Sequence, residues 1–220
     1  MNERFFDLKK DRQDRIINGA MRIFAQNGYR HASTDEMVAA ASISKGLLFH
    51  YFKSKKGTWE FLYEYSTRYT LLELREAQRR RGCDLFEMYR QLVRVDAAIL
   101  QKYPHMPLFL RRADEELGTD DPKFKPEIPE SLAGAVADLR LNLVIEAQRP
   151  PFLSEQDARR ISQILEYTRY GLIQELLALE EAAGSRKHSA ENADAPDLPF
   201  HVQYEERLFE YLSTLRKMNI

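Results

Sequence analysis

The chain has 220 residues, 44% of them hydrophobic and 30% charged, a balance typical of a soluble globular protein rather than of a disordered or membrane class. Its one cysteine, Cys83, excludes an intrachain disulfide and a metal cluster built on paired thiolates. The opening residues lack the apolar core of a secretory signal, and no run approaches the ~18 apolar residues of a transmembrane helix, so we expect a cytoplasmic protein.

Charge is unevenly distributed along the chain, although the net charge is only -1. Residues 1–56 carry 11 Lys and Arg against 6 Asp and Glu, whereas residues 57–220 carry 22 against 28. A basic N-terminal quarter beside an acidic remainder predicts that one end of the chain meets a polyanion. A chance asymmetry of surface charge is the alternative interpretation.

Two helices are predicted at the start of this basic quarter. Apolar residues recur at helical spacing over residues 11–27, and Gly28 follows as a left-handed stop. Ser33, with Glu36 three residues later, is a capping-box pattern, which predicts the start of a short second helix.

A third helix is predicted after a tight turn at residues 42–44, capped by Ser44 and extending through Phe52. On a 3.6-residue period Leu48 and Phe52 share an inward face, and the remaining side chains face outward. Those outward residues are Ser44, Lys45, Leu47, Phe49, His50 and Tyr51. Exposed apolar side chains need a partner, and thymine methyls, sugars and phosphates supply one. The pattern therefore predicts a helix-turn-helix that enters the major groove.

The rest of the chain has the pattern of long amphipathic helices. They are predicted over residues 58–81, 84–102, 104–117, 129–147, 154–182 and 201–217. Residues 184–199 are polar and poor in aromatics, and we interpret them as a mobile loop. Because no stretch alternates with a period of two, the predicted fold class is all-α.

The run from Thr34 to Lys56, TDEMVAAASISKGLLFHYFKSKK, resembles the N-terminal pattern of the TetR family of transcriptional regulators. The preceding FAQNGYRHAS is similar to the first helix and Gly-centred turn of that family, so the resemblance covers roughly residues 12–62. It implies a three-helix DNA-binding domain in residues 1–56 and a helical ligand-binding and dimerisation domain in residues 57–220. Ser42 departs from the pattern, because many members carry glycine there, and we expect a modest backbone adjustment.

The resemblance also implies roles for individual residues of the helix-turn-helix. Three of them would bind phosphates, namely Thr34, Tyr51 and Lys55. Six would face bases and adjacent sugars, namely Ser44, Lys45, Gly46, Leu47, Phe49 and His50. Lys45 is the best candidate for a guanine edge, and Gly46 lets a backbone approach closely. The alternative is an ordinary helical hairpin with a solvated basic face, in which His50 is simply hydrated.

A palindromic operator is read by two recognition helices separated by one DNA turn, ~34 to 36 Å, or by a multiple of that distance. We therefore expect a dimer. We expect the interface to be a four-helix bundle made by residues 154–182 and 201–217 with their copies, where Gly171 permits close approach. In the alternative interpretation, the apolar faces of these helices pack only inside one subunit.

A small hydrophobic effector is expected in the aromatic-rich middle of the chain. The predicted pocket residues are Phe86, Tyr89, Met106, Phe109 and Tyr170, although aromatic residues at helical spacing are also typical of plain core. The resemblance implies that the effector moves the helix starting near Thr58 and so changes the separation of the two DNA-binding heads.

Other functional classes find little support in the sequence. It contains no HExxH, GxSxG, P-loop, GxGxxG or paired-cysteine motif, so we predict no catalytic residue, metal or cofactor. A helical adaptor that binds another protein through residues 84–182 remains an alternative. The predicted function is a ligand-responsive regulator, most simply a repressor, that binds palindromic operator DNA as a dimer.

Overall fold

The computed structural model describes residues 3–80, 82–119, 121, 124–151, 153–187 and 198–217. These residues form helices and no strand, which confirms the predicted all-α class. The helices are α1 (Glu3–Phe6), α2 (Lys10–His31), α3 (Thr34–Ala41), α4 (Lys45–Phe52), α5 (Lys55–Gln78), α6 (Leu85–Lys102), α7 (Met106–Leu117), α8 (Ala135–Glu146), α9 (Glu155–Lys187) and α10 (Phe200–Lys217). No described helix combines the length and apolarity needed to cross a membrane.

The predicted helix starts are confirmed where a side chain caps the first turn. Ser33 Oγ accepts a hydrogen bond from the Asp35 N–H at 3.2 Å, and Ser44 Oγ accepts one from the Leu47 N–H at 3.2 Å. Such bonds satisfy amide groups that have no partner within the helix. Gly28 breaks α2 as predicted, with a φ of +70°, although helical residues resume after it.

Two predictions about the helices need correction, and one helix was not predicted. Residues 184–187 continue α9, so the mobile loop predicted over 184–199 is wrong for its first residues; residues 188–197 lie outside the described residues. The predicted helix over 129–147 is divided into a turn of 3-10 helix and α8, because Gly134 between them has a φ of +70°. The short helix α1 was not predicted.

The chain packs as two compact units. The N-terminal unit comprises Met1–Leu72 and Tyr103–Val136, and the C-terminal unit comprises Glu73–Lys102 and Ala137–Ile220. In the N-terminal unit α7 packs against α2, so helices from beyond residue 56 belong to the same core as the predicted helix-turn-helix. The functional division at residue 56 stays a prediction.

The core of the N-terminal unit is aromatic. The Trp59 indole stacks on Tyr63 with 5.3 Å between ring centroids and meets Phe109 edge-on at 6.1 Å. All three side chains are fully buried. In the C-terminal unit α6 lies against α10, and α10 also packs on α9.

Candidate nucleic-acid interface and ligand cavity

Helices α3 and α4 are held by buried apolar side chains on their inner faces. Met37 and Ala41 of α3 are buried, as are Leu48 and Phe52 of α4, which confirms the inward face predicted for α4. Where α2 crosses α3, a Cβ on Gly19 would stand only 2.8 Å from the Ala41 backbone nitrogen. The two helices therefore pack backbone against backbone, which leaves little freedom in their relative placement.

The turn between α3 and α4 is tight. Ser42 has φ 53° and ψ 50°, the left-handed conformation that glycine adopts at low cost, as expected for the position where Ser42 departs from the family pattern. The Ser42 N–H donates to the Ala39 carbonyl at 3.1 Å, and the Ile43 N–H donates to the Val38 carbonyl at 3.0 Å. These bonds satisfy the last carbonyls of α3 and fix the direction in which α4 leaves.

The outer face of α4 is accessible. Ser44, Lys45, Gly46 and His50 are exposed, and Leu47, Phe49 and Tyr51 are half-buried. The residues of α4 that are predicted to face DNA are therefore at least partly accessible, on the part of the helix surface that Leu48 and Phe52 do not occupy. Thr34 lies at the start of α3 and is also half-buried. Which bases or phosphates these residues contact stays a prediction.

Lys45, the predicted guanine contact, is paired with Asp35 of α3. Its Nζ lies 2.9 and 3.0 Å from the two carboxylate oxygens, and both side chains are exposed. An exposed ion pair of this kind contributes only ~0 to 1 kcal/mol. A base or phosphate could therefore replace the carboxylate at small cost.

Lys55, the predicted phosphate contact, is engaged in the fold. Its Nζ donates to the Arg30 carbonyl at 3.3 Å and to the Ala32 carbonyl at 3.1 Å, and it lies 4.8 Å from the centroid of the Tyr29 ring. Burial lowers the pKa of Lys55, an effect that the nearby Glu116 opposes. Loss of Lys55 would therefore affect the fold as well as any phosphate contact.

The role of Phe5 in α1 was not predicted from the sequence. Phe5 is fully buried and its ring centroid lies 5.2 Å from that of Phe52 in α4 and 5.0 Å from that of Phe61 in α5. It also meets Tyr51 edge-on at 5.7 Å. Phe5 therefore supports the inner side of α4, and the adjacent Phe5 and Phe6 in an otherwise polar opening were the only sequence signal for it.

Helix α7 holds α2 on both sides of the Gly28 break. Arg112 donates to the Ala25 and Gln26 carbonyls at 3.0 and 2.9 Å, and the Glu116 carboxylate accepts the Tyr29 N–H at 2.7 Å. A Cβ on Gly28 would stand 2.6 Å from that carboxylate. The positive φ therefore favours glycine here, and a larger residue would also have to displace the Glu116 and Arg112 side chains.

The C-terminal unit encloses four charged side chains beside a small cavity. Arg140 donates to both oxygens of Asp96 at 2.9 and 3.0 Å, and Arg169 donates to Asp96 and to Glu166. Tyr204 donates its hydroxyl proton to Asp96 at 2.9 Å. This cluster was also not predicted from the sequence, although single charges within apolar helix faces are a recognisable signal.

The predicted effector residues are not brought to one place. Tyr89 lines the cavity beside the charged cluster. Phe86 and Tyr170 lie in the same unit, and Tyr170 packs against the Arg169 guanidinium at 4.0 Å. Met106 and Phe109, in contrast, are buried in the core of the N-terminal unit. In the described part of the chain, no group of three or more His, Cys, Asp or Glu is placed to hold a metal ion.

The N-terminal region is similar to a known protein family. Residues 16–57 match the family model for bacterial regulatory proteins of the tetR family. Over 93 residues the chain is 29% identical to the uncharacterized HTH-type transcriptional regulator YvkB of Bacillus subtilis (strain 168). That match covers 41% of this chain and 44% of the relative, so it spans less than half of the relative's length.

The fold is similar to solved structures over nearly the whole chain. One is a TetR family transcriptional regulator from Chloroflexus aurantiacus J-10-FL, with 20% identity, a TM-score of 0.56 and coverage of 96% of this chain and 95% of that one. Another is the ketosteroid transcriptional regulator KstR2 of Mycobacterium tuberculosis, with 15% identity, a TM-score of 0.58 and coverage of 97% and 95%. Residues 16–57 are therefore similar to the helix-turn-helix region of tetR-family proteins, and the fold of the chain is similar to that of TetR-family transcriptional regulators.

Proposed function

We propose that the protein is a cytoplasmic, ligand-responsive transcriptional regulator, most simply a repressor, that binds palindromic operator DNA as a homodimer. The observation that carries this proposal is the two-sided character of α4. Its inner residues Leu48 and Phe52 are buried, while Ser44, Lys45 and His50 face solvent. A short, capped helix with such a face fits the width of the major groove.

Exposed apolar side chains on the last two helices support a dimer. Ile164 and Tyr167 of α9 are 63% and 69% exposed, and Leu179 of α9 and Tyr211 of α10 are also exposed. The three positions 164, 167 and 171 share one face of α9, and a Cβ on Gly171 would meet nothing within 4 Å. An apolar face of this extent marks an interaction surface, and an identical copy of the same two helices would cover it as a four-helix bundle.

The effector is proposed to bind in the C-terminal unit, at the cavity that Tyr89 lines. Of the predicted pocket residues, Phe86 and Tyr170 are in the same unit and could border an enlarged site, whereas Met106 and Phe109 serve the other core. Regulation requires that the effector bind one conformation of the protein more tightly than another. We propose that α5, which contributes residues to both units, moves between those conformations.

The test is selection of bound duplexes from random DNA, followed by gel shifts with the selected palindrome at two salt concentrations. We expect a specific shift that weakens steeply with salt because bound phosphates release counterions. Lys45→Ala should reduce discrimination between the selected and a scrambled duplex. Lys55→Ala should weaken binding to both and flatten the salt slope by about one. Because Lys55 also supports the fold, the change in salt slope is the result that reports on its phosphate contact.

Arg159→Ala on α9 is the matched control. Arg159 is paired with Glu155 at 2.9 Å and is 48% exposed, the same exposure as Lys45, so it loses an equivalent surface ion pair away from α4. It should leave both the shift and its salt dependence unchanged. Failure to select any sequence, or equal effects of Lys45→Ala and Arg159→Ala, would contradict the proposal.

The dimer is tested separately by light scattering after size-exclusion chromatography. Tyr167→Glu places a charge on the exposed face of α9 and should convert dimer to monomer, because a carboxylate is costly to bury. Glu155→Gln, on the same helix but paired only at the surface, should leave the mass unchanged. A wild-type protein that elutes as a monomer at micromolar concentration would refute this part.

A further inference from the structure

The charged cluster of the C-terminal unit contains two carboxylates in different environments. Asp96 is buried, with 2% of its side chain exposed, and it accepts hydrogen bonds from Arg140, Arg169 and Tyr204. Glu166 lies at the rim, with 34% of its side chain exposed. Asp96 therefore belongs to the packed core, whereas Glu166 has a direct path to solvent.

Glu166 bridges the two guanidinium groups. Its Oε1 accepts from Arg140 Nε at 3.0 Å, and its Oε2 accepts from Arg169 Nε at 3.0 Å and from a terminal Arg169 nitrogen at 2.8 Å. Burial raises the pKa of Glu166, but the two arginines outweigh that effect and bring it to about 2. The position between the guanidiniums is therefore suited to an anion at neutral pH.

An apolar cavity opens beside this carboxylate. It is lined mainly by aliphatic side chains together with Tyr89 and Ser162, and it also borders Asp96, Arg140, Glu166 and Arg169. The aliphatic residues are Leu92, Val93, Val144, Leu165, Leu208 and Leu212. Its volume of about 30 Å³ holds a water molecule or two, far below the ~300 Å³ or more of sites for organic ligands. A ligand must therefore displace a side chain to enter.

Tyr89 supplies an independent sign of a missing partner. The side chain is 93% buried and lies close to Ser162, yet its hydroxyl makes no hydrogen bond of normal geometry to any described residue. Buried polar groups in native proteins are nearly always hydrogen-bonded, so a buried hydroxyl without a well-formed hydrogen bond needs an explanation. A ligand oxygen in the cavity would supply the partner.

We propose that Glu166 occupies, in the unliganded protein, the seat of a ligand carboxylate, and that the ligand is an organic acid with an apolar body. Its carboxylate replaces Glu166 between Arg140 and Arg169 and its apolar body fills the enlarged cavity, where a further oxygen, in a ligand that has one, would meet the Tyr89 hydroxyl. This inference rests on the proposed function, because it names the chemical class of the effector.

Charge balance favours an acid over other ligand classes. The cluster holds two cations and two anions, so it is neutral as it stands. When Glu166 turns outward, one positive charge is left without compensation, and a single carboxylate restores neutrality. An alcohol or an amine would leave a buried guanidinium unpaired, which is strongly unfavourable.

The seat can be tested without knowing the ligand. Glu166→Ala should lower the melting temperature, and acetate should restore it in a saturable manner, whereas acetamide at the same concentration should not. The shift in melting temperature that each additive causes in the variant is compared with the shift that it causes in wild type, which removes the general effect of salt. Glu155→Ala on the same helix, which breaks only an exposed pair with Arg159, should show no acetate-specific rescue. Rescue that is absent, or equal for acetate and acetamide, would overturn the proposal.

The ligand class is tested on the wild-type protein with matched probes. Hexanoate, decanoate, benzoate and 2-naphthoate are each compared with the corresponding alcohol and amine by thermal shift and calorimetry. At least one acid should bind at least about tenfold more tightly than both of its analogues, the factor expected for one charge-assisted hydrogen bond. The proposal is overturned if no acid is preferred over its alcohol.

Glu166→Gln provides a variant that keeps the side-chain shape. With the internal anion gone, the preferred acid should bind more tightly than to wild type, again by about tenfold, because no carboxylate has to be displaced. Unchanged or weaker binding would refute the displacement. If the protein binds its selected operator but shows neither acetate rescue of Glu166→Ala nor a preference for acids, this inference alone is refuted. If it prefers acids but binds no operator, the proposed function is refuted.

Discussion

Replacement of Gly19 by alanine tests the close packing that positions the proposed DNA-binding helices. The new Cβ would lie 2.8 Å from the Ala41 nitrogen and 3.1 Å from the Ala40 carbonyl carbon, both backbone atoms that cannot move aside by rotating a side chain. Ordinary contact begins near 3.4 Å, so α3 would have to retreat from α2 by about 0.6 Å.

Two opposing terms determine the magnitude. Alanine is better than glycine in a helix by ~1 kcal/mol, whereas overpacking a tight contact costs ~1 to 3 kcal/mol. We therefore expect Gly19→Ala to lower the free energy of unfolding by up to about 2 kcal/mol, which corresponds to a fall in Tm of up to about 8 °C for a chain of this size. Operator affinity should also fall, because a shift of α3 displaces α4, which follows it in the chain.

Gly46→Ala is the matched control, measured by the same urea unfolding and gel-shift assays. The nearest heavy atom to its Cβ would be Ser44 Oγ at 4.0 Å, so the substitution meets no clash and should leave stability unchanged or raise it by up to ~1 kcal/mol. It should nevertheless weaken operator binding if a DNA backbone approaches Gly46. A Gly19→Ala variant as stable as Gly46→Ala would show that α2 and α3 do not pack as closely as described.

Three further substitutions test other features of the N-terminal unit. Ser42→Gly should stabilise the protein by ~1 kcal/mol in urea unfolding, because glycine adopts the left-handed turn without strain; a loss of stability would contradict this. Phe5→Ala should cost ~3 kcal/mol by calorimetry and weaken operator binding, since the buried ring supports α4; a change below ~1 kcal/mol would show that α1 is dispensable. Burial, with the charge of Arg22, lowers the pKa of His105 from 6.5 to about 4, so the unfolded chain takes up the proton first as pH falls. The resulting contribution to the free energy of unfolding, up to about 3 kcal/mol, is complete above pH 6.5 and is lost as the pH falls towards 4. His105→Asn should therefore make the free energy of unfolding less dependent on pH between 6.5 and 4. An unchanged pH dependence would refute this assignment.

The parts of the fold that sequence could predict depend on short-range signals. Ser33 and Ser44 each bond an amide two or three residues ahead, and Gly28 stops a helix through its own φ. The inward face of α4 follows from spacing within eight residues. Such features are determined by neighbours in the chain, so they can be recognised without knowledge of the tertiary structure.

The parts that sequence could not predict depend on distant partners. Asp96, Arg140 and Arg169 come from three helices, and a contact between positions 96 and 140 leaves no trace in local periodicity. The same holds for the predicted pocket. Tyr89 and Met106 are close in sequence, yet the chain places them in different units because the boundary falls at Tyr103.

The contacts around Gly28 determine which part of the chain sets the geometry of the proposed DNA-binding face. Arg112 holds the carbonyls before the break, Glu116 holds the amide after it, and Lys55 holds the carbonyls that lead into α3. Because α3 follows that segment directly, its orientation relative to α2 depends on side chains of α5 and α7. Residues 1–56 lack two of these three groups of contacts entirely. The placement of α4 therefore depends on contacts from α5 and α7 within the N-terminal unit, in addition to those made by residues 1–56.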